Sequence, residues 1–234
     1  MKTAIMQPYF LPYLGYFQLI AAVDCFVIYD TIQYTKKGWI NRNQMLRNDA
    51  AAMFSIPLQK GSDFADVRDR HIADAYDAVK VCAQFAGAYR KAPEFARTMP
   101  LVEKIAHHPS ANLFDFIHTA LRLCCDHLRI ETPIRVASQV EGGVHVLSGV
   151  DRVIDICQRT GATTYVNPPG GRALYEAGTF ARRNLTLKFL QPRLPSYPQF
   201  GGDFVPFLSI LDVIMFNNAE TIQSKMLGAC DLVD

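Results

Sequence analysis

Residues 1–45 read MKTAIMQPYFLPYLGYFQLIAAVDCFVIYDTIQYTKKGWINRNQM. An apolar segment at residues 3–6 predicts a β-strand, residues 13–22 predict a short helix, and residues 25–29 predict a second strand. Two strands joined through a helix favour a parallel pair with a right-handed crossover. This stretch therefore predicts an α/β fold built on a parallel or mixed, Rossmann-like sheet.

The rest of the chain continues the alternation of short apolar segments and helical patterns. The other predicted strands span residues 52–57, 133–137, 163–166 and 185–189. The other predicted helices span residues 72–89, 94–107, 150–159 and 207–216, and a longer helix follows Ser110 as its N-cap. Ser148 caps the helix at residues 150–159, and Gly161 occupies the position of a glycine that ends it. We expect a single α/β domain over residues 1–234, with a mainly helical insertion or subdomain at residues 64–130.

Composition and charge exclude several classes of protein. The formal net charge is +2, which is too small to indicate a nucleic-acid partner or a membrane surface. No apolar run approaches the roughly 20 residues that span a bilayer, and Pro8 and Pro12 interrupt the pattern of a secretory signal peptide. The six cysteines show no spacing typical of a metal site or a disulfide framework. We expect a cytoplasmic protein without a metal site.

The loop after the first predicted strand, QPYFLPYLGY at residues 7–16, is the first candidate for a ligand site. Ligands of α/β sheets bind outside the carboxyl ends of the strands, and the helix that follows offers backbone N–H groups to an anion. The alternative is a proline-stiffened aromatic turn that only packs. Its candidate substrate-binding residues are Gln7, Tyr9, Tyr13 and Tyr16.

A second candidate follows the second predicted strand. Asp30 could act as a general base, hold a sugar hydroxyl or assist a metal, or it could cap nearby backbone. Arginine binds phosphate or carboxylate in a bidentate manner, and aromatic rings can stack on a base or sugar. The alternative is a solvated basic loop beside a packed tryptophan. The candidate substrate-binding residues here are Gln33, Lys36, Lys37, Trp39, Asn41, Arg42 and Asn43.

A third candidate is the NPPGG stretch at residues 167–171, which follows a predicted strand. Glycine allows the backbone to approach a phosphate or sugar closely, but adjacent glycines also suit a tight turn. The stretch lacks the Gly-Lys-Ser/Thr of a P-loop, and we expect it to form no regular element. The candidate substrate-binding residues are Asn167, Gly170, Gly171 and Tyr175.

Four stretches together resemble the WbqC-like protein family. They read AIMQPYFLPYLGYFQLI from residue 4, VDCFVIYDTIQYTKKGWINRNQM from residue 23, YVNPPGGRALYEAGTF from residue 165 and FLSILDVIMFN from residue 207. The resemblance covers nearly the whole chain, with no recognised motif at residues 63–130. It implies work in bacterial O-antigen or other polysaccharide biosynthesis, with an acyl or glycyl group attached to the nitrogen of an amino sugar.

Three functional hypotheses follow from the residues and the resemblance. The leading one is a transferase that modifies a nucleotide-activated amino sugar, with Asp30 as the catalytic base. The second is an ATP-dependent, adenylate-forming or nucleotidyltransferase-like enzyme, because residues 13–16 resemble a His-x-Gly-His motif with tyrosines at the histidine positions. The third is a non-catalytic binding or scaffold protein of a polysaccharide assembly pathway. The expected ligand is a nucleotide sugar, and the acyl donor is left open between acyl-coenzyme A, an adenylate made from ATP with magnesium, and a carrier protein.

Overall fold

The computed structural model describes residues 1–62, 64–142 and 147–234. Its strands are β1 (Lys2–Met6), β2 (Cys25–Ile28), β3 (Arg42–Arg47), β4 (Ala50–Ser55), β5 (Ile134–Val136), β6 (Thr164–Asn167), β7 (Thr186–Pro192) and β8 (Cys230–Val233). Its α-helices are α1 (Leu14–Ala21), α2 (Ala78–Tyr89), α3 (Phe95–Ala106), α4 (Leu113–His127), α5 (Ala137–Val140), α6 (Gly149–Thr160), α7 (Ala177–Ala181), α8 (Ile210–Phe216) and α9 (Ala219–Thr221). Short 3₁₀-helices span Val67–Asp69 and Pro169–Leu174, and a π-helical turn spans Ile222–Leu227.

Six strands form the central sheet, in the order β5-β2-β1-β6-β7-β8. The first five strands in this order run parallel, and β8 pairs antiparallel with β7 at one edge. Helices cover the sheet, so the predicted α/β class with a mixed Rossmann-like sheet is confirmed. Among the described residues no helix is long and apolar enough to cross a membrane.

The two faces of the sheet bury two separate cores, because successive side chains of a strand point to opposite faces. On β1, Ala4 packs into the larger core, which α1, α4 and α8 also enter. Its neighbour Ile5 packs into the smaller core with residues of α6 and α7. Since both faces are covered, a ligand would have to approach the sheet at the strand ends.

Strands β3 and β4 form a separate antiparallel hairpin. Asn48 and Asp49 form its two-residue turn, and both adopt the left-handed φ angles that such a turn requires, 51° and 56°. The sequence predicted only the second of these strands. The first was missed because its residues, RNQMLR, are mainly polar, and Met45 and Leu46 are buried by contacts from distant parts of the chain.

Several predicted boundaries were wrong for local reasons. The helix predicted from residue 72 begins at Ala78, because Ile72 pairs with Leu58 in a β-bridge and Asp77 caps the helix by accepting the N–H of Lys80. The N-cap of α4 is Asn112 rather than Ser110, since the Asn112 side chain accepts the N–H of Asp115.

Two further predictions differ from the structure at residues 167–174 and 207–216. A 3₁₀-helix, Pro169–Leu174, occupies most of the stretch expected to be irregular. Helix α8 begins only at Ile210, and Phe207 is 64% exposed. By contrast, Gly161 ends α6 with a left-handed φ of 74°, as predicted. Helices α2, α3 and α4 lie within residues 64–130, and the division into a domain with a helical subdomain stays a prediction.

Candidate functional site

The order of the strands creates a crevice between β1 and β6. From β1 the chain passes through α1 to β2 on one side, whereas from β6 it passes to β7 on the other side. In open α/β sheets this reversal point, beyond the carboxyl ends of the strands, is where ligands bind. The fold therefore indicates a site at the ends of β1 and β6.

A cavity of about 670 Å³ lies at this position. Its volume is within the range of roughly 300–1,000 Å³ found for small-molecule sites. The lining comes from the ends of β1, β2 and β6, from the 3₁₀-helix after β6 and from the N-terminus of α6. Two other depressions, of about 700 and 600 Å³, lie around residues 129–132. They precede β5 and lie at the amino end of that strand, so we consider the cavity at the reversal point the better candidate.

One wall of the cavity contains Asn167 and Gly171, where the Asn167 side chain lies close to the Gly171 backbone. Asn167 ends β6 and is 5% exposed. Its side-chain nitrogen lies only 1.9 Å from the position that a Cβ on Gly171 would occupy. A Cβ on the preceding residue, Gly170, would meet nothing within 4 Å. Glycine is therefore required at 171 for the Asn167 amide to lie where it does.

The N-terminus of α6 forms another part of the cavity wall. Ser148 and Gly149 both line the cavity, and the Ser148 side chain makes no capping hydrogen bond. Gly149 adopts a left-handed φ of 55°. The first backbone N–H groups of a helix have no acceptor within the helix, so this end of α6 carries donors without a side-chain cap and partial positive charge.

Arg152 fixes the base of the cavity. Its Nε donates to Glu141 Oε1 at 2.6 Å, its Nη2 donates to Glu141 Oε2 at 2.8 Å, and its Nη1 donates to the carbonyl oxygen of Thr31 at 3.0 Å. A further hydrogen bond joins Nη2 to the Thr31 hydroxyl. The guanidinium also lies over the ring of Tyr29, 4.9 Å from its centroid. Because Glu141 neutralises the charge of Arg152, this group orients the walls without adding net charge to them.

Tyrosine rings form the remaining polar surface. Tyr9, Tyr29, Tyr165 and Tyr175 line the cavity. Burial raises the pKa of each of these phenols above its ordinary value, although the Arg152 charge partly opposes the rise at Tyr29. The phenols therefore stay protonated at neutral pH and can serve as hydrogen-bond donors rather than as bases.

The structure brings six of the predicted binding residues together in the cavity. They are Gln7, Tyr9, Asn167, Gly170, Gly171 and Tyr175. The other predicted residues are not part of its lining: Tyr13, Tyr16, Asp30, Gln33, Lys36, Lys37, Trp39, Asn41, Arg42 and Asn43. Their roles in binding or catalysis stay predictions.

Tyr13, Tyr16 and Asp30 make their contacts outside the cavity lining. Tyr16 is buried and donates its hydroxyl to the carbonyl oxygen of Gln7 at 2.8 Å, so it supports a wall residue from behind. Tyr13 packs its ring against Phe207. Asp30 is 4% exposed, and its Oδ1 accepts the N–H of Ser138 at 3.0 Å.

The polar residues after β2 mainly stabilise their own loop and the hairpin. Asn43 donates to the carbonyl oxygens of Phe10 and Leu11, at 3.1 and 2.9 Å. Asn41 accepts the hydroxyl of Tyr34 at 2.9 Å. Arg42 donates to two carbonyl oxygens of the preceding turn, at Lys37 and Gly38. Trp39 is 41% exposed.

Sequence reasoning missed several lining residues, including Tyr29, Ser148, Gly149 and Arg152. Ser148 had a usable signal, since it was predicted as a helix cap and helix N-termini bind anions. Arg152 had none, because its partners Glu141 and Thr31 lie 11 and 121 residues away. Among the described residues, no cluster of three or more metal-ligating side chains occurs.

Comparison with known proteins identifies the family. The model of the WbqC-like protein family matches residues 7–224. The chain belongs to this family. The WbqC-like chain is also 31% identical, over 226 residues, to an uncharacterized protein of Mycobacterium tuberculosis (strain ATCC 25618 / H37Rv), an alignment that covers 94% of this chain and 95% of the relative. No solved structure matches the WbqC-like chain significantly.

Proposed function

We propose that this WbqC-like protein is a cytoplasmic transferase that attaches an acyl or aminoacyl group to the nitrogen of a nucleotide-activated amino sugar, as a step in bacterial polysaccharide biosynthesis. The observation that carries the proposal is the cavity at the reversal point of the sheet. Its position and its volume of about 670 Å³ suit a small nucleotide-linked ligand.

The chemistry of the walls supports a ligand that is partly sugar and partly phosphate. The amides of Gln7 and Asn167 and the protonated phenol of Tyr175 offer donors to hydroxyl and phosphate oxygens. The Tyr9 hydroxyl donates to Gln7 Oε1 at 3.3 Å, which leaves the Gln7 amide nitrogen to the ligand. Among the described lining residues, Arg152 is the only charged side chain, and Glu141 is paired with it. The described lining therefore presents no carboxylate that would repel a phosphate.

The rim of the cavity has an apolar part that suits the acyl group. Leu147 and Leu174 line the cavity and are 45% and 71% exposed. Small-molecule sites are lined mainly by apolar side chains with a few polar groups. We therefore assign the acyl portion of the donor to this rim.

In the proposed reaction the sugar amine attacks the carbonyl carbon of an activated acyl donor, a thioester or an acyl adenylate. The new C–N bond forms while the bond to sulfur or to the phosphate oxygen breaks. The leaving group takes that electron pair, and the amine gives up one proton. Protonated phenols and backbone N–H groups in the cavity would stabilise the negative charge that develops on the carbonyl oxygen. Asp30 remains the predicted proton acceptor. The anion contacts predicted at Lys36, Lys37 and Arg42 lie outside the cavity lining, and the proposed reaction does not use them.

The test combines a thermal-shift panel with a product assay on the full chain. The panel contains nucleotide-linked amino sugars, ATP with magnesium and acyl-coenzyme A. A ligand at 100 times its dissociation constant stabilises the folded state by about 2.7 kcal/mol. We expect a shift with a nucleotide-linked amino sugar, lost in Asn167→Ala and retained in Arg42→Ala, and a mass gain of one acyl group on the sugar when the donor is added.

Two other outcomes would contradict the transferase, and a third would contradict the position of its site. A shift with ATP alone and release of pyrophosphate would indicate an adenylate-forming enzyme. Binding of the sugar nucleotide without turnover by any donor class would indicate a binding protein. A shift lost in Arg42→Ala and retained in Asn167→Ala would place the ligand at the hairpin rather than in the cavity.

A further inference from the structure

We propose that the N-terminus of α6, together with the side chain of Asn167, forms a phosphate-binding subsite that takes the diphosphate of the ligand. The inference rests on the proposed function, because a sugar nucleotide is the expected source of this diphosphate. It assigns the phosphate to a helix and an amide that the sequence did not connect, rather than to the lysines and arginine of residues 36–42.

The helix end supplies the first half of the subsite. Helix α6 has 12 residues, and its N-terminus lies in the cavity wall at Ser148 and Gly149. The Ser148 side chain makes no capping bond, and the first N–H groups of a helix have no acceptor within the helix. A Cβ at Gly149 would meet no described atom within 4 Å, so the space beside this residue is open.

Asn167 supplies the second half and is an independent observation. Its side chain is almost fully buried and lines the same cavity. Within residues 1–62, 64–142 and 147–234 the side-chain amide of Asn167 makes no hydrogen bond. Its two N–H donors are therefore free to bond an acceptor that arrives with the ligand. A phosphate oxygen is such an acceptor.

The local charges are compatible with a dianion. Arg152 is paired with Glu141, which makes that pair neutral. The remaining acidic group in the first turn of α6 is Asp151, which is exposed. Asp151 therefore lowers the affinity for an anion at the helix end. Replacing Asp151 with a neutral residue should raise that affinity.

The experiment uses inorganic pyrophosphate as the probe, measured by isothermal titration calorimetry on the full chain. Ser148→Asp places a carboxylate at the cap, whereas Ser148→Asn places a cap of similar size without charge. Both residues are good N-caps, so both variants should fold. We expect pyrophosphate to bind Ser148→Asp roughly tenfold or more weakly than it binds Ser148→Asn, because the like charges are close.

The second pair of variants removes a negative charge at two distances from the same helix end. Asp151→Asn should tighten pyrophosphate binding roughly two- to fivefold, in line with charge effects in the first turn of a helix. Asp155→Asn removes the same charge one turn further along, where Asp155 is paired with Arg159. We expect a smaller change for this control, since the effect of the helix end falls off within one turn.

Three results would overturn the subsite. They are the absence of pyrophosphate binding to the unaltered protein, equal affinities in the two Ser148 variants, and loss of binding in Arg42→Gln with no effect of Ser148→Asp. The subsite and the proposed function can fail separately. Acyl transfer that Ser148→Asp leaves unchanged would refute the subsite alone, whereas the expected pyrophosphate pattern without any acyl transfer would refute the transferase alone.

Discussion

Substituting alanine at two adjacent glycines tests whether the Asn167 amide belongs to the ligand site. Gly170 and Gly171 both follow β6 and both line the cavity. A Cβ at Gly170 meets nothing within 4 Å, whereas a Cβ at Gly171 would lie 1.9 Å from Asn167 Nδ2 and 3.0 Å from its Cγ. Neither glycine has a positive φ, so alanine fits the backbone at both positions.

The difference between the two variants has a magnitude that follows from these distances. Replacing glycine by alanine at a compatible position stabilises a protein by about 0.4–1 kcal/mol through the unfolded chain, and this gain is common to both variants. At position 171 the Asn167 side chain must rotate away, which costs about 1 kcal/mol, because a displaced rotamer costs about 0.5–1.5 kcal/mol. For a chain of this size, 1 kcal/mol corresponds to about 2–4 °C in Tm.

The effect on ligand binding should be larger than the effect on stability. A hydrogen bond to a charged group contributes about 1.5–3 kcal/mol. Displacing Asn167 should therefore weaken binding of the sugar nucleotide, or of pyrophosphate, by about 10- to 150-fold in Gly171→Ala. We expect Gly170→Ala to retain the affinity of the unaltered protein.

Thermal unfolding by circular dichroism and calorimetric titration measure the two effects. In an Asn167→Ala background the stability penalty of Gly171→Ala should disappear, since the clashing group is gone and contacting residues are not additive. Equal Tm values for Gly170→Ala and Gly171→Ala would show that the added methyl group does not displace the Asn167 side chain. Equal losses of affinity in the two variants would show that the Asn167 amide does not contact the ligand.

Three further substitutions have outcomes set by individual contacts. Glu141→Gln leaves the buried guanidinium of Arg152 without its carboxylate and should lower the free energy of unfolding in urea by about 3–5 kcal/mol; a loss below about 1 kcal/mol, typical of exposed pairs, would contradict this. Burial raises the pKa of Asp212, although three hydrogen-bond donors oppose the rise, so the native state binds this proton more tightly than the unfolded chain does. The stability advantage over Asp212→Asn should therefore shrink as the pH rises above about 4, the ordinary pKa of an aspartate, and an advantage that grows with pH in urea titrations would refute the assignment. Asp30→Asn should lower kcat by about 10²–10⁴-fold if Asp30 is the general base, and full turnover with an unchanged circular dichroism spectrum would exclude that role.

The alternation of apolar segments was sufficient to predict the parallel part of the sheet. Residues of β1, β2 and β6 are buried because both faces of the sheet are covered, and such strands appear in a sequence as short continuous apolar runs. The strand β3 was not predictable in this way. Its burial depends on contacts such as the hydrogen bond from the Leu46 N–H to the Tyr89 hydroxyl, 43 residues away.

The candidate site was predictable only where its residues follow strands directly. Gln7 and Asn167 each come immediately after or at the end of a strand, and both reach the cavity. Arg42 and Trp39 also lie close to a strand in sequence, yet the path of the chain after β2 takes them away from the reversal point. The spacing of residues along the sequence cannot predict that path, because the order β5-β2-β1-β6 depends on which strands pair.

The hydrogen bonds of the Arg152 guanidinium explain how walls from distant segments can form one rigid cavity. Glu141 precedes α6, Thr31 follows β2, and Arg152 lies in the first part of α6, so its hydrogen bonds connect the two segments through one planar guanidinium. A planar donor group with several fixed partners restricts both position and orientation. The N-terminal end of α6 is therefore held relative to the end of β2, and through the parallel pairing of β2 with β1 it is held relative to Gln7. A binding site requires this kind of support from surrounding contacts if its donors are to be placed before the ligand arrives. For this reason a substitution at Glu141, which is outside the cavity lining, should weaken ligand binding as well as lower stability.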